Sequence, residues 1–127
     1  MIQLPIGIDI LEIDRFEMAL QRRKRLLNRV FTPAERDYCL RRGRPGASLA
    51  ARFAAKEAVF KVLGAARGSI GWQEIEILTG PDGRPEVHLH GRAAEEARRQ
   101  GLASFEVSLS HSRGLAAAVV RGLKGGS

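Results

Sequence analysis

Asp9 and Glu57 are the two carboxylates whose surroundings in this sequence indicate chemistry. Asp9 interrupts an isoleucine-rich segment, although aspartate is depleted in strands. Glu57 lies in an alanine-rich segment together with three cations, Arg52, Lys56 and Lys61. Mg²⁺ takes one or two carboxylates and completes its shell with water and phosphate oxygens, while cationic side chains neutralise phosphate. The pair therefore predicts a magnesium site at which the three cations face phosphate groups.

Structural roles account for part of the same pattern. Asp9 can cap a turn or pair with an arginine, and on composition this reading weighs as much as a metal or catalytic role. Glu57 precedes Lys61 by four residues, which is the favoured order for an ion pair within a helix. Such a pair would leave Arg52 and Lys56 in need of partners, because an unpaired buried charge is costly.

The element that must position Glu57 is a helix predicted between Ser48 and Gly64. Ser48 is a good N-cap residue, and Gly64 is a good residue to follow a helix end. The large apolar side chains of this helix fall on one arc, and alanines line most of the rest, so no side of the helix is polar. The side chains of the arc are Leu49, Phe53, Phe60 and Leu63. A helix with this composition is normally buried, and we expect it to form the centre of the fold.

The segments before this helix predict a strand and two shorter helices. Residues 4–11 alternate as a strand that places Asp9 on the face opposite its isoleucines. A helix is predicted to begin at an Asp14 N-cap and to carry four consecutive cations, Arg22–Arg25, which are typical of a solvated face or a contact with an acidic partner. A further helix is predicted after Thr32, with Glu35 completing its capping box.

The segments after the central helix predict mainly strands. Residues 72–78 and 84–90 form a predicted hairpin around a Gly-Pro-Asp-Gly turn, and residues 92–100 form a short helix. Two more strands are predicted around residues 105–111 and 115–120. The sequence thus predicts one α+β domain over residues 1–127, in which a long buried helix packs on a mainly antiparallel sheet. Residues 122–127 are expected to be a disordered tail.

The composition indicates a globular protein with anionic partners. The formal net charge is +7 over 127 residues, with one cysteine, Cys39, which excludes internal disulfides. No apolar run approaches the length of a membrane helix, and the first residues do not form a signal peptide, so a cytoplasmic location is expected. Nucleic acid is the default partner for such a charge, but few aromatic residues are available for stacking on bases. Acidic proteins and phosphate-rich small molecules fit the charge equally well.

Six motifs occur in order along the chain: GIDILEIDRF (7–16), FTPAERDYC (31–39), RFAAKEAVFKVLG (52–64), WxxIEI (72–77), DGRP (82–85) and SLSH (108–111). Together they resemble the holo-[acyl-carrier-protein] synthase family, the small bacterial type of phosphopantetheinyl transferase. The resemblance covers nearly the whole chain and is specific because the motifs occur together.

The resemblance implies transfer of 4′-phosphopantetheine from coenzyme A to a serine of acyl carrier protein, with Mg²⁺ as cofactor and adenosine 3′,5′-bisphosphate as the second product. By motif, Asp9 and Glu57 match the metal ligands and catalytic carboxylates, and Lys61 matches the lysine beside the reacting phosphate. The positions that hold coenzyme A would be Arg52, Lys56, Lys61, Gly83, Arg84, Pro85, Ser110 and His111. The residue that removes the serine proton stays open between Glu57 and a metal-bound water.

The resemblance also implies an assembly and a partner surface. It predicts a homotrimer with active sites shared between subunits, and an acidic carrier protein bound at Arg15, Arg22, Arg23 and Arg25. Leu115 and Ser112 depart from the residues common in the family, and this affects the expected detail of cofactor or subunit contacts. The alternative is a non-catalytic basic module that binds nucleic acid or an acidic protein. That alternative gives no reason for Asp9 or Glu57, and a purely structural oligomerisation domain does not explain the charges of the central helix.

Overall fold

The computed structural model describes residues 4–125 of the chain, without the side chains of residues 65–67. The described part contains five strands and five helices, and short 3₁₀ segments at Gly64–Ser69 and Trp72–Glu74. In chain order the elements are β1 (Ile6–Glu12), α1 (Ile13–Arg22), α2 (Leu26–Val30), α3 (Pro33–Leu40), α4 (Pro45–Leu63), β2 (Ile75–Thr79), β3 (Pro85–Leu89), α5 (Gly91–Arg99), β4 (Leu102–His111) and β5 (Leu115–Lys124).

The strands form two antiparallel sheets against the long helix α4. One sheet has the order β1-β5-β4, and the other is the β2-β3 hairpin. Two clusters of buried apolar residues lie against α4, and Leu11, Trp72 and Leu109 pack against both. The predicted α+β architecture, with one long buried helix on antiparallel strands, is therefore confirmed.

Helix α4 is buried over most of its surface. Fourteen of its 19 residues are buried, as its lack of a polar face predicted. The helix begins at Pro45, three residues before the predicted cap, because proline is well suited to a first helical turn. Ser48 is therefore inside the helix, and its hydroxyl lies 3.2 Å from the Cys39 sulfur. The helix ends as predicted at Gly64, whose φ of +77° favours glycine.

Strand β1 runs in direct contact with α4 at Gly7. A Cβ atom built on Gly7 would overlap the carbonyl oxygen of Ala58, so a side chain at this position would push the strand away from the helix. This close approach brings the residues that follow Gly7 on β1 next to the C-terminal half of α4.

Helix α1 differs from its prediction at both ends. It follows β1 without a loop, and Glu12 rather than Asp14 occupies the N-cap position. No side-chain cap is needed at Ile13, because its backbone N–H donates to the Gly114 carbonyl at 2.9 Å. The helix ends at Arg22, so the four exposed cations of residues 22–25 span the break between α1 and α2.

The end of the chain is more ordered than predicted. Gly122 to Lys124 belong to β5, and the Gly122 N–H donates to the Pro5 carbonyl at 2.7 Å. The expected disordered tail is therefore wrong for these three residues, because they continue the antiparallel pairing with β4. Gly126 and Ser127 lie outside the described residues. At α3, by contrast, the predicted capping box of Thr32 and Glu35 is confirmed.

The isoleucines of β1 face away from α4. Ile6, Ile8 and Ile10 are exposed, and Ile8 lies opposite Val119, which is exposed as well. Together with Leu115 they form an apolar surface on the outer face of the three-stranded sheet, which we call the outer sheet face. Asp9 consequently points to the helix side of the sheet.

Candidate active site

Asp9 and Lys61 meet where β1 crosses α4. The Lys61 ammonium donates to the Ile8 carbonyl at 2.6 Å and to the Asp9 carboxylate at 3.2 Å. The Asp9 side chain is 20% exposed and that of Lys61 is 49% exposed. The pair therefore lies at an open edge of the core, where both groups can also contact a ligand.

Glu57 lies one helical turn before Lys61, on the same side of α4, and is half-buried. In the part of the chain that the structure describes, no group of three or more His, Cys, Asp or Glu residues is placed to hold a metal ion. A fully protein-made metal cage is thus absent from this part. Two carboxylates suit Mg²⁺, which keeps waters and takes phosphate oxygens as its other ligands. The donor set of Asp9 and Glu57 fits that ion.

Arg52 lies on a different side of α4 and faces the end of β2. Its guanidinium donates to the Thr79 hydroxyl at 2.9 Å and to the Ser48 hydroxyl at 3.2 Å. The Nε atom is buried and has no acceptor among the described residues. Tyr38 covers one face of the guanidinium, with 4.5 Å between the Arg52 Cζ atom and the ring centre.

The region around Tyr38, Arg52 and Thr79 at the end of β2, which we call the electropositive corner, carries positive charge. A hydrogen bond with Thr79 lowers the pKa of the Tyr38 phenol; burial opposes this shift, and the cations Arg42 and Arg52 add to it. Arg42 also lies over the ring, with its Cζ atom 5.2 Å from the centre. The corner beside the β2-β3 turn therefore favours an anion.

Lys56 does not reach the surface. Its side chain is completely buried, and its ammonium lies 2.8 Å from the Glu35 carboxylate. It also donates to the Trp72 carbonyl at 3.1 Å and to the Ile75 carbonyl. Burial lowers the pKa of Lys56, while the Glu35 charge opposes this shift. The prediction that Lys56 holds the nucleotide is contradicted in this arrangement, because all three donor positions of the ammonium have protein acceptors.

The predicted turn residues lie at the tip of the β2-β3 hairpin. Gly83 has a φ of +85°, and its N–H donates to the Gly80 carbonyl at 2.9 Å. Arg84 is exposed and Pro85 begins β3. Because Thr79 ends β2 and binds Arg52, the structure places this turn close to the electropositive corner.

Ser110 and His111 lie at the end of β4, on opposite faces of the sheet. His111 pairs with Ala116, which is buried on the helix side, and Ser110 pairs with Ala117. Both residues are exposed. The loop after them is held by Arg44, whose guanidinium donates to the Ser112 and Arg113 carbonyls at 3.0 and 2.8 Å.

An open cavity of about 570 Å³ lies between β1, α1 and α4. Its walls include Leu11, Phe16 and Phe53, and Arg15 lies at its edge. Phe53, which forms part of its wall, lies one helical turn before Glu57 on α4. Leu115, which belongs to the outer sheet face, also lines the cavity and so connects the cavity to that face.

Sequence reasoning missed Glu35, Tyr38 and Arg44 as parts of this region. Glu35 was identified only as a helix cap, and its contact with Lys56 carries no local sequence signal because the two residues are 21 positions apart. The contacts of Arg44 likewise carry no local sequence signal, because Ser112 and Arg113 lie 68 and 69 positions away. Arg15 is exposed beside Glu12 on α1, as a residue at a partner surface must be.

Fold and site together define a small α+β protein with a carboxylate–lysine pair between a strand and a buried helix, next to an electropositive corner. Such a site is suited to phosphate groups. Residues 5–120 match the family model of the 4′-phosphopantetheinyl transferase superfamily. The chain belongs to this superfamily, as its motifs indicated.

Individual relatives and solved structures agree with this assignment. The chain is 60% identical over 116 residues to the holo-[acyl-carrier-protein] synthase of Moorella thermoacetica, and the match covers 91% of each chain. The structure of the Helicobacter pylori holo-[acyl-carrier-protein] synthase in complex with coenzyme A is similar, with a TM-score of 0.80, 33% identity and coverage of 93% of this chain and 99% of that chain. The Bacillus anthracis holo-(acyl-carrier-protein) synthase in complex with CoA (3′,5′-ADP) gives a TM-score of 0.76 at 28% identity, with coverage of 94% and 96%.

Among the helices of residues 4–125, none combines the length and the apolar composition needed to cross a bilayer.

Proposed function

We propose that this chain transfers the 4′-phosphopantetheine group of coenzyme A to a serine of an apo acyl carrier protein. The observation that carries this proposal is the contact of Lys61 with Asp9 and with the Ile8 carbonyl, at an open edge beside Glu57. The Lys61 ammonium and the carboxylates of Asp9 and Glu57 would then lie at an edge that a pyrophosphate can approach. The matches to holo-[acyl-carrier-protein] synthases, two of them with coenzyme A named in their structures, support the same reaction.

The reaction is a displacement at the β-phosphorus of coenzyme A. The serine oxygen forms a bond to this phosphorus, and the bond to the oxygen of adenosine 3′,5′-bisphosphate breaks. The serine hydroxyl gives its proton to a base, for which Glu57 and a water are the two candidates. Such transfers ask the protein chiefly for positioning and charge neutralisation. Lys61, oriented by Asp9 and the Ile8 carbonyl, would neutralise the charge that accumulates on the phosphate.

Asp9 and Glu57 would hold the Mg²⁺ ion that the family uses. When bound, this ion would neutralise the pyrophosphate and stabilise the leaving bisphosphate. Without a cation the two carboxylates would repel the phosphates, so their presence at this edge is itself an argument for the ion. Lys61 then balances the carboxylate charge on the protein side.

The adenosine 3′,5′-bisphosphate part of coenzyme A is proposed to bind at the electropositive corner. Arg52 and the turn residues Gly83, Arg84 and Pro85 lie on that side. Ser110 and His111, at the end of β4, are proposed to bind the same part of coenzyme A. The apolar cavity beside Phe53 offers walls for the pantetheine arm. Arg15, Arg22, Arg23 and Arg25 are exposed on and after α1, where they can bind an acidic carrier protein.

A homotrimer in the cytoplasm is part of the same proposal. The outer sheet face exposes apolar side chains that a soluble monomer would rarely leave uncovered, and one of its members, Leu115, also lines the cavity. A second copy on this face would thus lie beside the site and help to form it.

The test is intact-protein mass spectrometry of an apo acyl carrier protein after incubation with this chain, coenzyme A and Mg²⁺. We expect a mass gain of one phosphopantetheine group per carrier, and we expect EDTA to abolish it. An apo carrier whose acceptor serine is replaced by alanine is the control. No gain with several carrier proteins would contradict the proposal and favour a basic binding module, which salt-dependent binding to nucleic acid would then reveal.

A further inference from the structure

The buried pair of Glu35 and Lys56 has a role that neither capping nor cofactor binding explains. Both side chains are completely buried, and both are fully used in polar contacts. We propose that Glu35 and Lys56 form a positioning pair that fixes the β2-β3 hairpin against α4 in the arrangement that binds coenzyme A. This inference rests on the proposed transferase function.

The contacts of the pair are directional and reach three elements. Lys56 of α4 donates to the carbonyls of Trp72 and Ile75, at the start of β2. One Glu35 oxygen accepts from Lys56 and from the Thr32 N–H, both at 2.8 Å. The other accepts from the Ile77 N–H, also at 2.8 Å. The pair thus links α4, the N-terminus of α3 and both ends of the Trp72–Ile77 segment.

These links fix the two halves of the proposed site relative to each other. Lys56 stands next to Glu57 in the sequence, so it points to β2 while Glu57 and Lys61 lie on the β1 side of the same helix. The hairpin that Lys56 holds carries the turn of Gly83–Pro85, on the proposed nucleotide side. A shift of β2 along α4 would change the distance from this turn to the Asp9–Lys61 edge.

A purely stabilising role does not account for this pair. Buried ion pairs are often replaceable by apolar residues of similar volume without loss of stability, because desolvation offsets their attraction. Their best supported role is to fix the register of packed elements. Three of the contacts here are to backbone groups of β2 or of the turn before it, and backbone contacts of this kind fix a register. A misplacement of about 1 Å can lower a rate about a hundredfold.

The experiment compares Lys56→Met, Glu35→Gln and the double variant with the unmodified chain. The control is Arg99→Met, which removes an exposed ion pair with Glu96 on α5. Circular dichroism identifies a temperature at which each variant is fully folded. At that temperature, calorimetry gives the dissociation constant for coenzyme A, and carrier modification gives kcat and KM.

We expect each single variant, when folded, to bind coenzyme A about tenfold more weakly and to lose about 10- to 100-fold in kcat/KM. The double variant should lose no more affinity for coenzyme A than the single variant with the larger loss, because both changes remove the same interaction. Arg99→Met should keep its affinity. Unchanged affinity in the folded variants, with only a lower melting temperature, would overturn the proposal and leave the pair a structural one.

Hydrogen exchange of the unmodified chain provides a measurement that does not depend on whether the variants fold. Coenzyme A should slow exchange of the Ile77 N–H, because binding requires the hairpin to stay in its register against Glu35. Unchanged exchange at Ile77 in an active enzyme would overturn the positioning role. An unmodified chain that neither binds coenzyme A nor modifies a carrier would instead refute the proposed function, and the pair's role with it.

Discussion

Single residues in this protein owe their roles to the groups that orient them. The Lys61 ammonium donates both to Asp9 and to the Ile8 carbonyl, and these two contacts fix the direction of a long flexible side chain. A preorganised ammonium does not have to reorient as charge develops on a phosphate. Lys61 is therefore the residue whose loss should affect the transfer step more than binding.

Lys61→Gln should lower kcat for carrier modification by about 10²- to 10³-fold, which is the usual effect of removing one preorganised donor from a site of developing charge. The KM for coenzyme A should change much less. Lys124→Gln is a matched control, since this exposed lysine binds only the Gln100 carbonyl in the described structure. Equal kcat values for the two variants would contradict the role of Lys61.

Glu76 predicts how stability depends on acid pH. Burial would raise the pKa of this carboxyl, but hydrogen bonds from Thr32 and with His90 outweigh it and lower the pKa. Because the folded pKa lies below the unfolded one, the stabilisation is present above the usual glutamate pKa of about 4.3 and is lost as the pH falls below it.

Urea unfolding at pH 7 and pH 3.5 measures this effect. The unmodified chain should lose more of its free energy of unfolding between these pH values than Glu76→Gln, which cannot titrate at this position. Glu95→Gln, at an exposed position on α5, should behave like the unmodified chain. Parallel losses in Glu76→Gln and the unmodified chain would show that Glu76 is not responsible.

Among the elements, α4 and α3 were predictable from the sequence because their signals are local. The absence of a polar face predicted the burial of α4, and Gly64 predicted where this helix ends. The capping box predicted the start of α3. Asp9 was recognisable as a candidate site residue because aspartate is unusual in a strand, and its role in the site stays a prediction. These predictions needed no knowledge of distant contacts.

Other features depend on contacts that the sequence does not display. The motif resemblance predicted that Lys56 holds the nucleotide, but a step of one residue from Glu57 turns a side chain by about 100° around the helix, and Lys56 points to Glu35 instead. The start of α1 was misplaced because its cap is the distant Gly114 carbonyl. The end of β5 was not predicted, because glycine-rich segments usually form loops. In the structure, pairing with β4 keeps Gly122 to Lys124 in the strand.

The contact of β1 with α4 predicts a large effect of Gly7→Ala. The added methyl group would overlap the Ala58 carbonyl, which a buried helix cannot move, so overpacking should lower the free energy of unfolding by about 1–3 kcal/mol. Chemical denaturation measures this change. Gly43→Ala, where a Cβ meets no atom within 4 Å, should have little effect. A similar loss in both variants would contradict the close-approach argument.

A substitution in helix α1 should affect binding of the carrier protein more than binding of coenzyme A. Arg15→Glu should weaken binding of the acidic carrier protein by at least about tenfold, because it replaces attraction by repulsion at an exposed position, and it should weaken binding of coenzyme A far less. Calorimetry with each substrate gives both values. Arg98→Glu on α5 makes the same charge change at an exposed site elsewhere. Equal losses for both substrates would mean that the carrier surface has been misplaced.

At the scale of the whole molecule, the outer sheet face predicts self-association. Ile8→Glu should abolish the proposed trimer, because it would bury a charge between apolar side chains at the centre of this face. Light scattering should then give the mass of one chain, and carrier modification should fall with it. Leu40→Glu introduces the same charge at an exposed leucine of α3 and should leave the mass unchanged. A trimer that persists in Ile8→Glu would rule out this face as the interface.

The burial of α4 also limits how this protein can change over evolution. One helix supplies the packing surface for both sheets and carries the proposed site residues Arg52, Glu57 and Lys61, so few substitutions in it should be free of consequence for folding or for the proposed catalysis. Engineers who seek a more heat-resistant form should therefore find more tolerant positions in α2 and α5. With the proposed carrier surface on α1, relatives that differ in carrier preference should differ mostly in α1 and keep the composition of α4.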